Sequence, residues 1–136
     1  MQKKKIFLVD DDPVIRLALH QHLSNQGHHV ICLEDGEKCL EELKRQKADL
    51  IILDATLPKQ SGPEILQKIK GNPETAHIPI VMLSSDTETQ AMGSGGEFSA
   101  EQYLAKPLSV SAILNAITSI DDARQAVTSL EALGRE

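Results

Sequence analysis

Three short apolar runs of this sequence end in charged residues, and this arrangement constrains the fold more than any other feature. The charged residues are, in chain order, Asp10 with Asp11, then Asp54, then Lys106. A short apolar run between turn signals is typical of a strand that is buried on both faces of a parallel sheet. The carboxyl ends of such strands lie at one edge, where open α/β sheets bind their ligands. We therefore expect these side chains to form a site for a hard cation and an anionic group.

Strand and helix patterns alternate along the chain. The strand candidates are Lys5–Val9, His29–Leu33, Leu50–Leu53, Ile78–Leu83 and Gln102–Ala105. The helix candidates are Pro13–Asn25, Glu37–Gln46, Gly62–Lys70, Thr87–Met92 and Ser109–Ile120. Five strands that alternate with helices predict parallel βαβ units in one doubly wound sheet, with helices on both faces.

One stretch of the sequence interrupts this pattern. Residues 93–96 read Gly-Ser-Gly-Gly, where the fourth helix candidate should continue. Each glycine costs a helix interior about 1 kcal/mol relative to alanine. We therefore expect a short fourth helix, followed by a loop over about residues 93–98 whose amide protons exchange early.

Composition excludes several classes of function. The chain has 136 residues, which suits one domain, and a net charge of -6, which argues against a broad nucleic-acid-binding surface. Trp is absent and Tyr occurs once, so stacking on single-stranded bases is not expected either. The sequence has no long apolar stretch or signal peptide, which predicts a cytoplasmic protein that does not bind membranes. Cys32 and Cys39 both fall at apolar positions, and we expect both in the core.

The charged residues and a nearby hydroxyl favour phosphoryl chemistry. Crowded carboxylates repel one another, and a divalent cation with oxygen ligands such as Mg²⁺ removes that repulsion. Lys106 adds a compact positive charge that suits a phosphoryl oxygen, and Ser84 ends the fourth strand candidate with a hydroxyl. A metal, a lysine and a hydroxyl around one aspartate make phosphoryl transfer onto that carboxylate chemically reasonable.

Four segments together resemble the receiver domain of the two-component response-regulator family, over roughly residues 4–120. They read FLVDDDP from residue 7, DLIILDATLPKQSG from residue 49, IPIVMLSS from residue 78 and AEQYLAKP from residue 100. The resemblance implies a flavodoxin-like (CheY-like) doubly wound sheet of five parallel strands in the order 2-1-3-4-5. In the same segments, Pro58 and Gly62 match the loop after the third strand, and Lys106 with Pro107 matches the family's Lys-Pro pair.

The resemblance also implies a role for each residue of the site. Asp54 would be the phospho-acceptor, with Lys106 paired to it. Mg²⁺ would be held by Asp11, Asp54 and the backbone carbonyl of Thr56, with Asp10 acting through water. Ser84 and Tyr103 would be the switch residues that respond to the phosphoryl group, a shift of population between two arrangements.

The partners implied by the resemblance are a histidine kinase or a histidine phosphotransfer protein. Residues 1–120 would be the receiver domain and residues 121–136 a C-terminal extension. Ser119 and Asp122 could form a capping box that opens a further helix, or the preceding helix could continue without a break. The extension could lead to an output domain, form a homodimer contact or fold back on the domain.

Two other functions are compatible with the same fold. An aspartyl-phosphate hydrolase or phosphotransferase would act on a substrate of its own, but that class usually has a second aspartate where Thr56 stands here. A receiver-like module could instead bind partners without phosphorylation. The complete acidic set and Lys106 favour the phosphorylated receiver over that module.

Overall fold

The computed structural model describes residues 3–84, 97–106 and 109–134, with side-chain detail as far as residue 123. This part of the chain contains five strands and four helices. In chain order they are β1 (Lys5–Val9), α1 (Pro13–Asn25), β2 (His29–Leu33), α2 (Gly36–Arg45), β3 (Leu50–Asp54), α3 (Gly62–Lys70), β4 (Ile80–Ser84), β5 (Gln102–Ala105) and α4 (Val110–Gly134).

The five strands form one parallel sheet in the order β2-β1-β3-β4-β5, which confirms the predicted topology. The register places Asp54, the last residue of β3, opposite Leu83, and Ser84 opposite Ala105. Because all strands run in the same direction, their carboxyl ends lie along one edge. The acidic segments and Lys106 therefore reach the same end of the molecule.

Alternate residues of each strand face two separate helical layers. Ile6 and Leu8 of β1 pack in one core cluster with residues of α1 and α4, including Leu23 and Ile117. Phe7 and Val9 face the other side, where the core includes residues of α2 and α3. This burial on both faces explains why β1, β3 and β4 are continuous apolar runs rather than alternating patterns.

The helices begin at the residues that their caps specify. The side chain of Asp12 accepts a hydrogen bond from Val14 N at 2.9 Å, and Pro13 occupies the first helical turn of α1. Ser61 caps α3 in the same way, through Glu64 N. The predicted start of α2 was one residue late, because Asp35 caps that helix and Gly36 is its first residue.

Two sequence predictions in the strands need correction. β4 begins at Ile80 rather than Ile78, because Ile78 N closes a turn by donating to Thr75 O at 3.1 Å. Cys32 is exposed rather than buried, whereas Cys39 is fully buried as predicted. The error at Cys32 arises because β2 lies at the edge of the sheet and has a strand on only one side.

The last helix continues beyond its predicted end. α4 extends from Val110 to Gly134 and passes through residues 119–122 without interruption, so the backbone follows the second of the two alternatives. Whether residues 121–136 act as a separate extension stays a prediction. The helix predicted at Thr87–Met92 and the glycine-rich stretch 93–96 lie outside the described residues. Residues 97–101, which come next, are not helical.

Among the residues that the structure describes, no helix is both long enough and apolar enough to cross a membrane.

Candidate functional site

Three aspartates meet at the carboxyl edge of the sheet. Asp10 follows β1, Asp11 comes next in the chain, and Asp54 ends β3. One carboxylate oxygen from each lies within 4.8 Å of the others. Asp10 and Asp54 are buried, while Asp11 is exposed. The cluster is therefore a partly buried acidic site with one side open to solvent.

The loop between β1 and α1 is held in place by its own polar groups. Asp10 Oδ1 accepts a hydrogen bond from Asp12 N at 2.9 Å. From the first turns of α1, Arg16 Nη1 donates to the main-chain oxygen of Asp10 at 2.9 Å. The sequence analysis missed Arg16, although an arginine one turn into the helix that follows the acidic run was a signal for it. The first bond orients the Asp10 carboxylate, and the second holds the backbone of Asp10 in place.

The surroundings of Asp10 disfavour its ionised carboxylate. Burial raises the pKa of its carboxyl to about 6, and the neighbouring carboxylate of Asp54 adds to the shift. Its second oxygen, Oδ2, is buried and has no hydrogen-bond partner among the described residues. An unpartnered buried oxygen beside two other carboxylates is the donor set that a hard divalent cation prefers. The residues present therefore fit a Mg²⁺ ion.

Lys106 contacts the carboxylate of Asp54 directly. Its Nζ lies 3.1 Å from Oδ1 and 3.2 Å from Oδ2, and Asp54 Oδ1 also accepts from Thr56 N at 3.0 Å. The backbone of Lys106 is placed by Ser84, whose main-chain oxygen accepts from Lys106 N at 2.8 Å. The sheet thus brings the predicted acceptor and the predicted lysine into contact, although 52 residues separate them in sequence.

The two predicted switch residues lie in β4 and β5, the strands that come after β3 in the sheet. Ser84 is fully buried at the end of β4. Tyr103, in β5, is half-buried against the core, and its hydroxyl oxygen accepts a hydrogen bond from Ala100 N at 2.9 Å. Pro107 lies outside the described residues.

Gly62 allows α3 to start directly beneath the site. Its N donates to Ala55 O at 2.8 Å, and a Cβ at this position would lie 2.4 Å from Asp54 O. A real Cβ cannot approach an oxygen so closely, so any other residue would push α3 away from the end of β3. Glycine is therefore required here by the close approach of two backbones.

The comparisons with known proteins agree with this geometry. The family model of the response regulator receiver domain matches residues 6–118. The alkaline phosphatase synthesis transcriptional regulatory protein PhoP of Bacillus subtilis is 37% identical over 106 residues, covering 78% of this chain and 43% of that protein. The chain thus spans less than half of the length of curated relatives such as PhoP.

Solved structures give the same result. The chemotaxis response regulator CheY4 of Vibrio cholerae matches with a TM-score of 0.75 at 25% identity, covering 88% of this chain and 99% of that one. The receiver domain of the sensor histidine kinase PA1611 from Pseudomonas aeruginosa matches with a TM-score of 0.74 at 25% identity, covering 84% and 93%. That structure has a magnesium ion coordinated in its active-site cleft.

The order of the five strands, the acidic edge and the family match over residues 6–118 lead to one conclusion: this chain belongs to the response regulator receiver domain family. Its place is in two-component signal transduction, as a receiver domain.

Proposed function

We propose that this chain receives a phosphoryl group on Asp54 from a histidine kinase or a histidine phosphotransfer protein, with Mg²⁺ as cofactor. One observation above all supports the proposal. The buried carboxylate of Asp54 has the ammonium group of Lys106 on both of its oxygens and two further carboxylates within 4.8 Å. A nucleophilic carboxylate, a fixed cation and a cation-binding acidic pair are the groups that phosphoryl transfer needs.

The acidic cluster would hold the metal. Asp11, Asp54 and the backbone carbonyl of Thr56 would be direct ligands, and Asp10 would act through water. When bound, Mg²⁺ supplies positive charge to the phosphoryl oxygens and offsets the repulsion among the three carboxylates. Asp11 is the exposed member, so it is the residue that an incoming ion meets first.

The transfer itself requires little of the protein beyond position and charge. An oxygen of Asp54 attacks phosphorus as the N–P bond of the donor phosphohistidine breaks. The donor imidazole leaves with that electron pair and takes up one proton, and the product is an acyl phosphate on Asp54. Lys106, already 3.1 Å from Oδ1, balances the negative charge that the phosphoryl group brings.

Ser84 and Tyr103 would carry the signal away from Asp54. Ser84 joins the site to β5 through its bond to Lys106 N, and Tyr103 lies in β5. The phosphoryl group would bind one arrangement of these side chains better than the other and shift the population toward it. A downstream target, an output domain or a second copy of this chain would respond to this switch.

The chain would act as a phosphoryl acceptor that slowly loses the group again rather than as an enzyme with its own substrate. Thr56 follows two residues after Asp54, where hydrolases of the aspartyl-phosphate class usually have a second aspartate. Relatives that share this domain are named for different activities: one is named as a cyclic di-GMP phosphodiesterase, and the match covers 24% of it. A cytoplasmic location, shared with the phosphohistidine donor, belongs to the same proposal.

The direct test is phosphoryl uptake from a small donor. Incubation with acetyl phosphate and Mg²⁺ should add the mass of one phosphoryl group, stable to acid and labile to base, and peptide mapping should place it on Asp54. Asp54→Asn should abolish the addition, while Asp122→Asn, at an exposed position of α4, should not. Failure of the wild-type protein to take up a phosphoryl group, with its fold intact, would instead favour a module that binds partners without phosphorylation.

A further inference from the structure

The segment before β5, residues 97–101, is held against α3 at both of its ends, and at residues 97 and 98 the contact is one side-chain amide. Gln67 Oε1 accepts hydrogen bonds from Glu97 N at 3.2 Å and Phe98 N at 3.0 Å. Its Nε2 donates to Phe98 O at 2.8 Å. One side chain thus binds two backbone N–H groups and one backbone carbonyl, the groups that a neighbouring strand would otherwise bind. Both amides therefore have hydrogen-bond partners, and their early exchange stays a prediction.

A charged pair anchors the other end of the same segment. Lys70 Nζ contacts Glu101 at 2.7 Å and also donates to Ile78 O at 2.7 Å. Glu101 in turn accepts from Ile80 N at 3.0 Å, and its own N donates to Ile80 O at 3.0 Å. Gln67 and Lys70 lie one turn apart on α3, so one helix fixes both ends of the segment.

Tyr103 depends on the middle of this segment. Its hydroxyl oxygen accepts from Ala100 N at 2.9 Å, and both residues pack against the same core cluster. Reorienting the tyrosine side chain would leave the amide of Ala100 without this bond. Loss of one such bond costs about 1 kcal/mol, or about fivefold in a two-state equilibrium.

We propose that Gln67 is a positioning residue for Tyr103: by fixing residues 97 and 98, it sets where Ala100 N points and so stabilises the resting orientation of the tyrosine. The signalling part of this proposal rests on the proposed function, because it requires Tyr103 to be a switch residue. The physical linkage from Gln67 through Ala100 to Tyr103 is a property of the unmodified protein. In the unmodified protein, Gln67 stabilises the resting orientation of Tyr103 relative to the alternative one. The phosphoryl group has to offset this free-energy difference before the population shifts.

Replacement of Gln67 by Met tests the linkage, since Met fills a similar volume but makes none of the three hydrogen bonds. Gln21→Met is a matched control, because Gln21 is exposed on α1, which packs on the other face of the sheet. Tyr103 is the only tyrosine and the chain has no tryptophan, so intrinsic fluorescence reports on this one side chain. In Gln67→Met, acrylamide should quench Tyr103 more strongly, and the Ala100 amide should exchange about fivefold faster.

The signalling consequence has its own measurement. Beryllofluoride, which imitates a phosphoryl group on a carboxylate, should bind Gln67→Met about fivefold more tightly than wild type. Unchanged binding together with unchanged quenching and exchange would overturn the proposal. If wild-type protein shows no beryllofluoride response while the variant still changes quenching and exchange, the proposed function fails and the linkage stands.

A second variant covers the case in which Gln67→Met does not fold. Tyr103→Phe removes only the hydroxyl, so the Ala100 amide should exchange faster while amides 97 and 98 keep their protection from Gln67. Equal exchange at Ala100 in Tyr103→Phe and wild type would show that the hydroxyl does not hold this segment, and it would refute the proposal.

Discussion

Lys4 and Asp121 form an ion pair at the amino edge of the sheet, with 2.5 Å between Lys4 Nζ and Asp121 Oδ1. The pair joins the residue before β1 to α4. Both side chains are mostly covered, with 12% and 17% of their surfaces exposed, so the pair is screened less than a typical surface pair.

We expect Asp121→Asn to lower the free energy of unfolding by roughly 1–3 kcal/mol, between the values for exposed and buried pairs. Urea unfolding of Asp121→Asn, Lys4→Met and the double variant would measure the coupling. The neighbouring exposed residue gives the control: Asp122→Asn should have little effect. Additive losses in the double variant would mean that the pair contributes no coupling energy.

We expect His28, at the same edge of the sheet, to make the free energy of unfolding depend on pH. This residue is 5% exposed, its Nδ1 accepts from Lys4 N at 3.1 Å, and burial lowers its pKa below 6.5, with the charge of Lys4 adding to the shift and Asp121 opposing it. The unfolded chain takes up a proton at about pH 6.5, while the folded chain resists it. Neutral His28 should thus make its full contribution to the free energy of unfolding above pH 6.5. This contribution should be lost as the pH falls from 6.5 toward the lower pKa that His28 has in the folded protein.

The measurement is the free energy of unfolding between pH 5 and pH 8 for wild type, His28→Asn and His20→Asn. His20 is exposed on α1 and serves as the control. We expect a flatter profile for His28→Asn only. A His28→Asn profile as steep as that of wild type would assign the pH dependence to other groups.

We expect the acidic cluster to lower the free energy of unfolding in the absence of Mg²⁺ and to raise it when Mg²⁺ is bound. Burial raises the pKa of Asp10 to about 6, so keeping this carboxyl ionised at neutral pH lowers the free energy of unfolding. In metal-free buffer, Asp10→Asn should therefore raise the free energy of unfolding by roughly 1–3 kcal/mol. Mg²⁺ should raise the melting temperature of wild type, as any ligand of the native state does.

Asp11→Ala should weaken the Mg²⁺ response most, since Asp11 is the exposed predicted ligand. Thermal melts with and without Mg²⁺, and with Ca²⁺ for comparison, would test this. An equal Mg²⁺ response in wild type and Asp11→Ala would exclude Asp11 as a ligand.

The two cysteines should differ strongly in reactivity. Cys32 is exposed in the edge strand, whereas Cys39 is fully buried and its pKa is raised to about 12 by burial. Burial also raises the pKa of Cys32, but this thiol is accessible to solvent. A thiol reagent at neutral pH should therefore modify Cys32 faster than Cys39, which should react only on unfolding. Mass spectrometry over time, with Cys32→Ser as the control, would test this. Two groups added at one rate to the folded protein would contradict the assigned burial.

Much of the fold was predictable because its signals are local. Short apolar runs between turn residues predicted β1, β2 and β5 at their observed bounds, and the caps Asp12 and Ser61 predicted the starts of α1 and α3. The family motifs placed Asp54 and Lys106 in one site, and the structure brings these two side chains into contact. The metal ligands and the switch roles stay predictions.

The remaining features depend on contacts between distant residues. The exposure of Cys32 follows from the position of β2 at the sheet edge, which the apolar pattern of that strand does not reveal. Gln67 looks like any polar residue of a helix, and its role becomes visible only when residues 97 and 98, about 30 positions later, pack beside it. Local patterns contain no record of such pairings.

Because the strands are parallel, the charges at the amino edge of the sheet and those at its carboxyl edge are separated by the length of a strand. β1 is five residues long, and six residue steps of about 3.3 Å place Lys4 roughly 20 Å from Asp10. This distance is more than twice the Debye length at physiological salt, near 8 Å. Exposed charges can therefore be exchanged at one end with little electrical effect at the other, so surface mutations near the amino edge can adjust thermal tolerance while leaving the proposed phosphoryl site unchanged.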